Sequence, residues 1–184
     1  MEQANGYNLL ELIRCVIHTI LYIHQIYPLD TFERCERYGI AVYFCTSSVV
    51  GDYLNPILND INNYLAMGVL QSVRISVWNP TQVRYQMQLP QTTEKLCTLE
   101  GILKWQELFR NTLYRLIYVG QSSSLQVAST FQIFLQVVDN MQQQPLLRWK
   151  TTDGDPLGYS KKWESLYSCE LFEQPFHLFR EEMD

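Results

Sequence analysis

The chain has 184 residues, 47% of them hydrophobic, and a formal net charge of −5 at pH 7. That length and apolar content suit one well-packed domain and leave too little chain for two. The 14 Lys and Arg are spread without a basic block, which argues against a surface that tracks the phosphates of DNA or RNA.

From Asn8 the sequence takes a helical period. Leu9, Leu12, Ile13, Val16, Ile17, Ile20, Leu21 and Ile23 or His24 form a broad apolar stripe, and Pro28 is the expected stop. Asp30 to Arg37 reads as a short polar connection, helical or irregular, anchored by Phe32. Tyr38-Gly39 is a turn, and Ile40 to Phe44 is β-branched and aromatic enough for a short strand. Ser47 or Ser48 can cap a second amphipathic helix that carries Val50, Tyr53, Leu54, Ile57, Leu58, Ile61 and Leu65 as far as Met67-Gly68, with a kink expected at Pro56. Val69 to Trp78 and Val83 to Leu89 alternate on either side of Asn79-Pro80-Thr81, the pattern of an antiparallel hairpin.

Thr98 to Gly120 reads as a helix apolar around too much of its circumference to lie on a surface. Leu99, Ile102, Leu103, Phe109, Leu113, Leu116 and Ile117 make one face and Trp105, Leu108, Tyr114 and Tyr118 a second, so a central position is expected. Thr98 is the expected N-cap, Glu100 suits the first turn, Gly120 is the expected C-terminal stop, and Arg110 and Arg115 read as solvated charges. Thr130 to Val138 alternates as a third sheet strand. Beyond it, Asn140 to Gln144 and Thr151 to Ser160 show no period, and so long an irregular stretch is usually functional or mobile. Trp163 to Phe172 and Phe176 to Phe179 regain strand-like spacing, with Pro175 fitting an edge or a bulge. The expectation is one α+β domain over residues 1–184: three main helices packed on an antiparallel sheet (1–138), then a C-terminal arm (139–184).

Catalysis finds little support in the sequence, and a small enzyme with an unrecognised site is only a remote alternative. His18 and His24 stand six residues apart and do not share a helix face, and His177 is remote, so neither a metal nor another cofactor is expected. There is no Walker loop, G-x-G-x-x-G or G-x-S-x-G, and Asp153-Gly154-Asp155 lacks the later carboxylates of a calcium loop. Five scattered cysteines (Cys15, Cys35, Cys45, Cys97, Cys169) without a C-x-x-C pair read as reduced thiols. With no leader pattern and no apolar run of membrane-spanning length, an intracellular, soluble protein with no membrane partner is expected. The arm is rich in aromatic residues: Trp149, Tyr159, Trp163, Tyr167, Phe172, Phe176 and Phe179. These rings can fasten the arm to the sheet, or also enclose an extended peptide added as a strand; the sequence leaves both readings open.

Ile20-Leu21-Tyr22, Ile26-Tyr27-Pro28, Phe32, Tyr38-Gly39 and Tyr53-Leu54 resemble, in order and spacing, the N-terminal half of HORMA domains. The resemblance runs almost without gaps from about Leu9 to Trp78. It continues more weakly through the hairpin, Leu108-Phe109-Arg110 and the Thr130 to Val138 strand, and is faint in the arm. It implies a non-enzymatic adaptor whose C-terminal safety belt wraps a partner peptide that pairs as a strand with the sheet.

Within the family, the short N-terminus and lack of long insertions resemble the accessory subunits of translesion DNA polymerase zeta. That branch implies a nuclear protein, a peptide motif of a large DNA polymerase catalytic subunit as ligand, and a Y-family scaffold polymerase as second partner. Tyr38-Gly39 and Pro145 to Trp149 resemble the spindle-checkpoint branch, but Ser165 to Phe179 lacks its Ser-Phe-Thr-Thr and His-Lys-Val pattern, so the polymerase branch is favoured. The resemblance further implies a peptide pocket at Tyr38, Tyr53, Pro145 and Trp149. It implies a homodimer or HORMA heterodimer contact at Arg110 and Arg115, and a scaffold-polymerase contact at Trp163, His177 and Phe179. Pro175 departs from the family pattern for that last strand.

Overall fold

In the computed structural model the described residues are 9–79, 81–90, 99–122, 130–138, 162–171 and 174–183. The apolar stripe expected from Asn8 forms helix α1, Leu9–Ile23, in which Leu12, Ile13, Val16, Ile17, Ile20 and Leu21 are wholly excluded from solvent. Polar residues on α1 are enclosed as well. Thr19 turns its hydroxyl back to the Cys15 carbonyl at 2.7 Å, and His18 accepts from the Cys45 backbone N–H through Nδ1 at 3.2 Å. Both groups thus keep a partner despite losing water. Pro28 is not what stops α1. The helix closes with Gln25 at φ 47°, the Ile26 N–H on the Leu21 carbonyl and the Gln25 N–H on the Tyr22 carbonyl, a Schellman end built without glycine.

The segment expected as a polar connection is instead a 3₁₀ turn, Leu29–Thr31, followed by strand β1, Phe32–Arg37. Its strand state comes from its partner: β1 pairs antiparallel with β2, Ile40–Cys45, around Tyr38 (φ 55°) and Gly39 (φ 73°), the type I′ geometry that matches strand twist. Helix α2, Ser48–Ala66, starts at Ser47, whose hydroxyl makes no capping bond, and continues through Pro56. It ends as expected, at Gly68 (φ 68°).

Strands β3, Leu70–Asn79, and β4, Thr81–Gln88, form the expected hairpin with Ile75 opposite Tyr85. After helix α3, Leu99–Ser122, come β5, Thr130–Val137, β6, Lys162–Leu171, and β7, Gln174–Met183. The five-stranded sheet is antiparallel throughout, in the order β5-β3-β4-β7-β6. The arm strands therefore join the sheet on the β4 side, and β7 is an interior strand. Pro175 is accommodated because the β4 ladder begins only at His177 opposite Gln88, so the proline faces β6 alone, across from Glu170.

The helices cover the sheet face that carries Val73, Ile75, Val77 and Tyr85, and the β1–β2 hairpin covers α1 from the other side, where Phe44 packs on His18 with ring centroids 4.8 Å apart. This layering makes α1 the most enclosed helix. The expectation of a central α3 is corrected accordingly: Trp105, Leu108, Phe109, Leu113 and Leu116 are buried, but Leu103, Tyr114 and Tyr118 are exposed. Gly120 is not a stop, since α3 runs past it to Ser122. It is a point of close approach, where an added Cβ would meet the Cγ2 of Ile23 at 2.7 Å.

Candidate functional site

Both outer strands of the sheet have one neighbour: β5 pairs only with β3, and β6 only with β7, among the described residues. A strand paired on one side presents a row of main-chain N–H and C=O groups on the other, which is a template for an added strand. The two edges differ in what stands beside them. Alongside β5 lies α2, whose Tyr53 is 48% exposed and sets its ring edge-on to Phe131 of β5 (centroids 5.6 Å apart, planes at 88°). Val49, one helical turn earlier, is also exposed. An exposed aromatic over a half-buried aromatic, next to a strand edge unpaired among the described residues, gives a main-chain ladder and an adjoining apolar foothold in one place.

The other residues singled out from the sequence fall elsewhere. Tyr38 is on the hairpin turn with its ring against Phe109 of α3 (centroids 4.3 Å apart), so packing fixes it to a different element from Tyr53. Pro145 and Trp149 lie outside the described residues. Arg110 is exposed on α3 and its guanidinium rests 3.4 Å from where a Gly39 Cβ would be. Arg115 is exposed too, and five residues on places it about 140° around the helix from Arg110. On the sheet face away from the helices, His177 hydrogen-bonds Ser168 Oγ through Nδ1 at 2.8 Å and stacks on Phe179 at 5.5 Å. The backbone of Trp163 pairs with Glu181 in β7.

Val49 and Phe131 were not singled out from the sequence. Phe131 alternates like any core strand residue, and only the placement of α2 against β5 reveals its role. The titratable groups with strong shifts lie in the core. Burial, aided by Arg14, pushes His18 down to about 4; burial, then Glu11, pushes the Cys15 thiol up to about 12; burial pushes Tyr85 up to about 12. None faces the β5 edge. Among the described residues no cluster of three His, Cys, Asp or Glu could hold a metal ion.

No protein-family model and no curated protein sequence matches the chain. Solved structures do match it in shape. A chain of the mitotic checkpoint complex superposes with a TM-score of 0.79 at 14% identity, covering 96% of each chain. Caenorhabditis elegans (C. elegans) HTP-2 bound to a HIM-3 closure motif gives 0.71 at 8% identity over 94% of this chain and 87% of that one. C. elegans HTP-1 bound to the HIM-3 closure motif gives 0.67 at 7% over 95% and 88%. At such identities the likeness speaks for architecture: three helices on an antiparallel sheet, arranged as the HORMA fold.

Proposed function

We propose that this chain is a non-enzymatic adaptor that takes an extended partner peptide as a sixth strand on the β5 edge, secured by its C-terminal region, residues 139–184. The observation that carries the reading is the β5 edge itself, unpaired among the described residues and flanked by the exposed Tyr53 ring. Support comes from solved structures of the same fold that are described as bound to closure motifs. Each main-chain bond gained by an added strand contributes about 0.5–1.5 kcal/mol net, so the ladder alone tolerates many sequences. Selectivity then falls to the side-chain footholds, Tyr53 with Phe131, and to Pro145 and Trp149 from the HORMA resemblance.

The pathway we propose is translesion DNA synthesis in the nucleus, with a peptide of a large polymerase subunit as ligand and a Y-family scaffold polymerase meeting the His177 and Phe179 face. The lack of long insertions, and the absence of the checkpoint belt pattern from Ser165 to Phe179, support this reading. A checkpoint role is the second reading, favoured by the likeness to a chain of the mitotic checkpoint complex. Arg110 and Arg115 on α3 are the proposed contacts to a second HORMA chain. The test is a tagged pull-down from cells with mass spectrometry, repeated with Tyr53→Ala. A polymerase subunit lost in the variant supports the translesion reading. Checkpoint or chromosome-axis proteins lost in the variant move the clamp to that pathway, and identical partners with and without Tyr53 overturn the pocket assignment.

A further inference from the structure

The seam between β4 and β7 is built from charged residues on both sheet faces. On the face away from the helices, Arg84 and Glu181 stand directly opposite in the ladder, 3.6 Å apart, with side chains only 3% and 2% exposed. Arg84 Nη2 also donates to Gln82 Oε1 at 3.3 Å. On the helix-covered face the next pair is Tyr85 opposite Arg180. Arg180 pairs with Glu182 at 3.1 Å and Glu164 of β6 at 3.7 Å, while the Tyr85 phenol meets His24 Nε2 at 2.9 Å.

Hydrophobic patterning explains only part of this alignment. A one-residue slip of β7 would turn Phe176 and Leu178 to the wrong face, and burial forbids it. A slip of two preserves the faces. Leu178, now opposite Met87, would lie opposite Tyr85 or Leu89, all of them buried. The same slips put Arg84 opposite Phe179 or Met183, part its buried guanidinium from the Glu181 carboxylate, and part Tyr85 from Arg180. A buried ion pair contributes little net stability over apolar residues of like size, but losing one partner is costly, which suits it to choosing among alternatives of similar apolar burial.

We infer that the Arg84–Glu181 pair, seconded by Tyr85 with Arg180, is a register lock that seats the terminal β6–β7 hairpin on β4 in one alignment. The lock is independent of any ligand. The test is disulfide trapping in the full chain. Gln86→Cys with Phe179→Cys reports the observed alignment, and Gln86→Cys with His177→Cys reports a slip of two. With Arg84 and Glu181 in place, only the first pair is expected to link under mild oxidation. In the Arg84→Met/Glu181→Met background the slipped pair is expected to link as well, and more so when Tyr85→Phe is added. A slipped pair that stays unlinked in the background carrying all three changes, while the chain still melts cooperatively, overturns the lock. If the methionine background loses its cooperative melt, Arg84→Gln/Glu181→Gln is read by the same linkage and the same two outcomes.

Discussion

Replacing Gly120 by Ala sets two effects of opposite sign against each other. Gly within a helix is less favourable than Ala by about 1 kcal/mol, so on a free helix surface Gly120→Ala would stabilise. Here the new methyl would sit 2.7 Å from Ile23 Cγ2, 2.8 Å from Ile23 Cβ and 3.3 Å from its Cδ1. A rotamer change of Ile23 moves Cγ2 and Cδ1 but not Cβ, so the ends of α1 and α3 must separate. Overpacking of that kind costs about 1–3 kcal/mol, and the need for backbone movement places it in the upper part of the range. Gly120 also lies in the last turn of α3, where the propensity gain is smallest. The net expectation is a loss of about 1–2 kcal/mol, read as a lower denaturant midpoint at unchanged slope, or a Tm lower by roughly 2–8 °C. In an Ile23→Ala background the same change should cost less. A raised midpoint for Gly120→Ala would refute the reasoning, because propensity would then have outweighed contact.

Acid should weaken the fold through His18. Its folded value of about 4 lies below the ordinary 6.5 because burial, then Arg14, disfavours the imidazolium, so the unfolded chain takes up the proton first. The contribution is full above pH 6.5 and is lost as pH falls from there towards 4, which amounts to about 2 kcal/mol between pH 7 and 5. A His18 NMR titration with its midpoint near 6.5 would contradict this. Gly39→Ala should cost on the order of 1 kcal/mol, from a left-handed φ of 73° and not from Arg110, whose flexible end can swing aside; a calorimetric Tm equal to the parent's would count against it. Cys15, buried with its thiol held near 12, should resist iodoacetamide until the chain unfolds, and rapid native-state alkylation would show that α1 opens locally.

What the sequence announced and what it concealed follow from the reach of each signal. The α1 stripe and the β3–β4 hairpin were legible because one buried face writes a period of 3.6 or 2 directly into the residues. Strand β1 was not, because Phe-Glu-Arg-Cys-Glu-Arg buries no continuous face and owes its state to the pairing with β2. The end of α1 was hidden because Gln25, and no glycine, adopts the left-handed turn. The rank of α3 was misread because Tyr114 and Tyr118 count as apolar in a pattern yet lie in solvent, while the cover over α1 comes from the hairpin and the sheet together. Within the site, Tyr53 was legible through the HORMA resemblance. Its partner Phe131 became visible only when α2 was seen beside β5, a contact between residues far apart in the chain.

The most direct test of the clamp places a photo-crosslinking residue at Gln132 on the β5 edge and, as a control, at Glu170 on the β6 edge, each in the full chain in cells. Both positions are exposed on strands with one neighbour among the described residues. Strand addition at β5 predicts a crosslinked polypeptide at Gln132 that disappears with Tyr53→Ala and is not captured from Glu170. Capture from Glu170 alone, or capture at Gln132 indifferent to Tyr53, would contradict it.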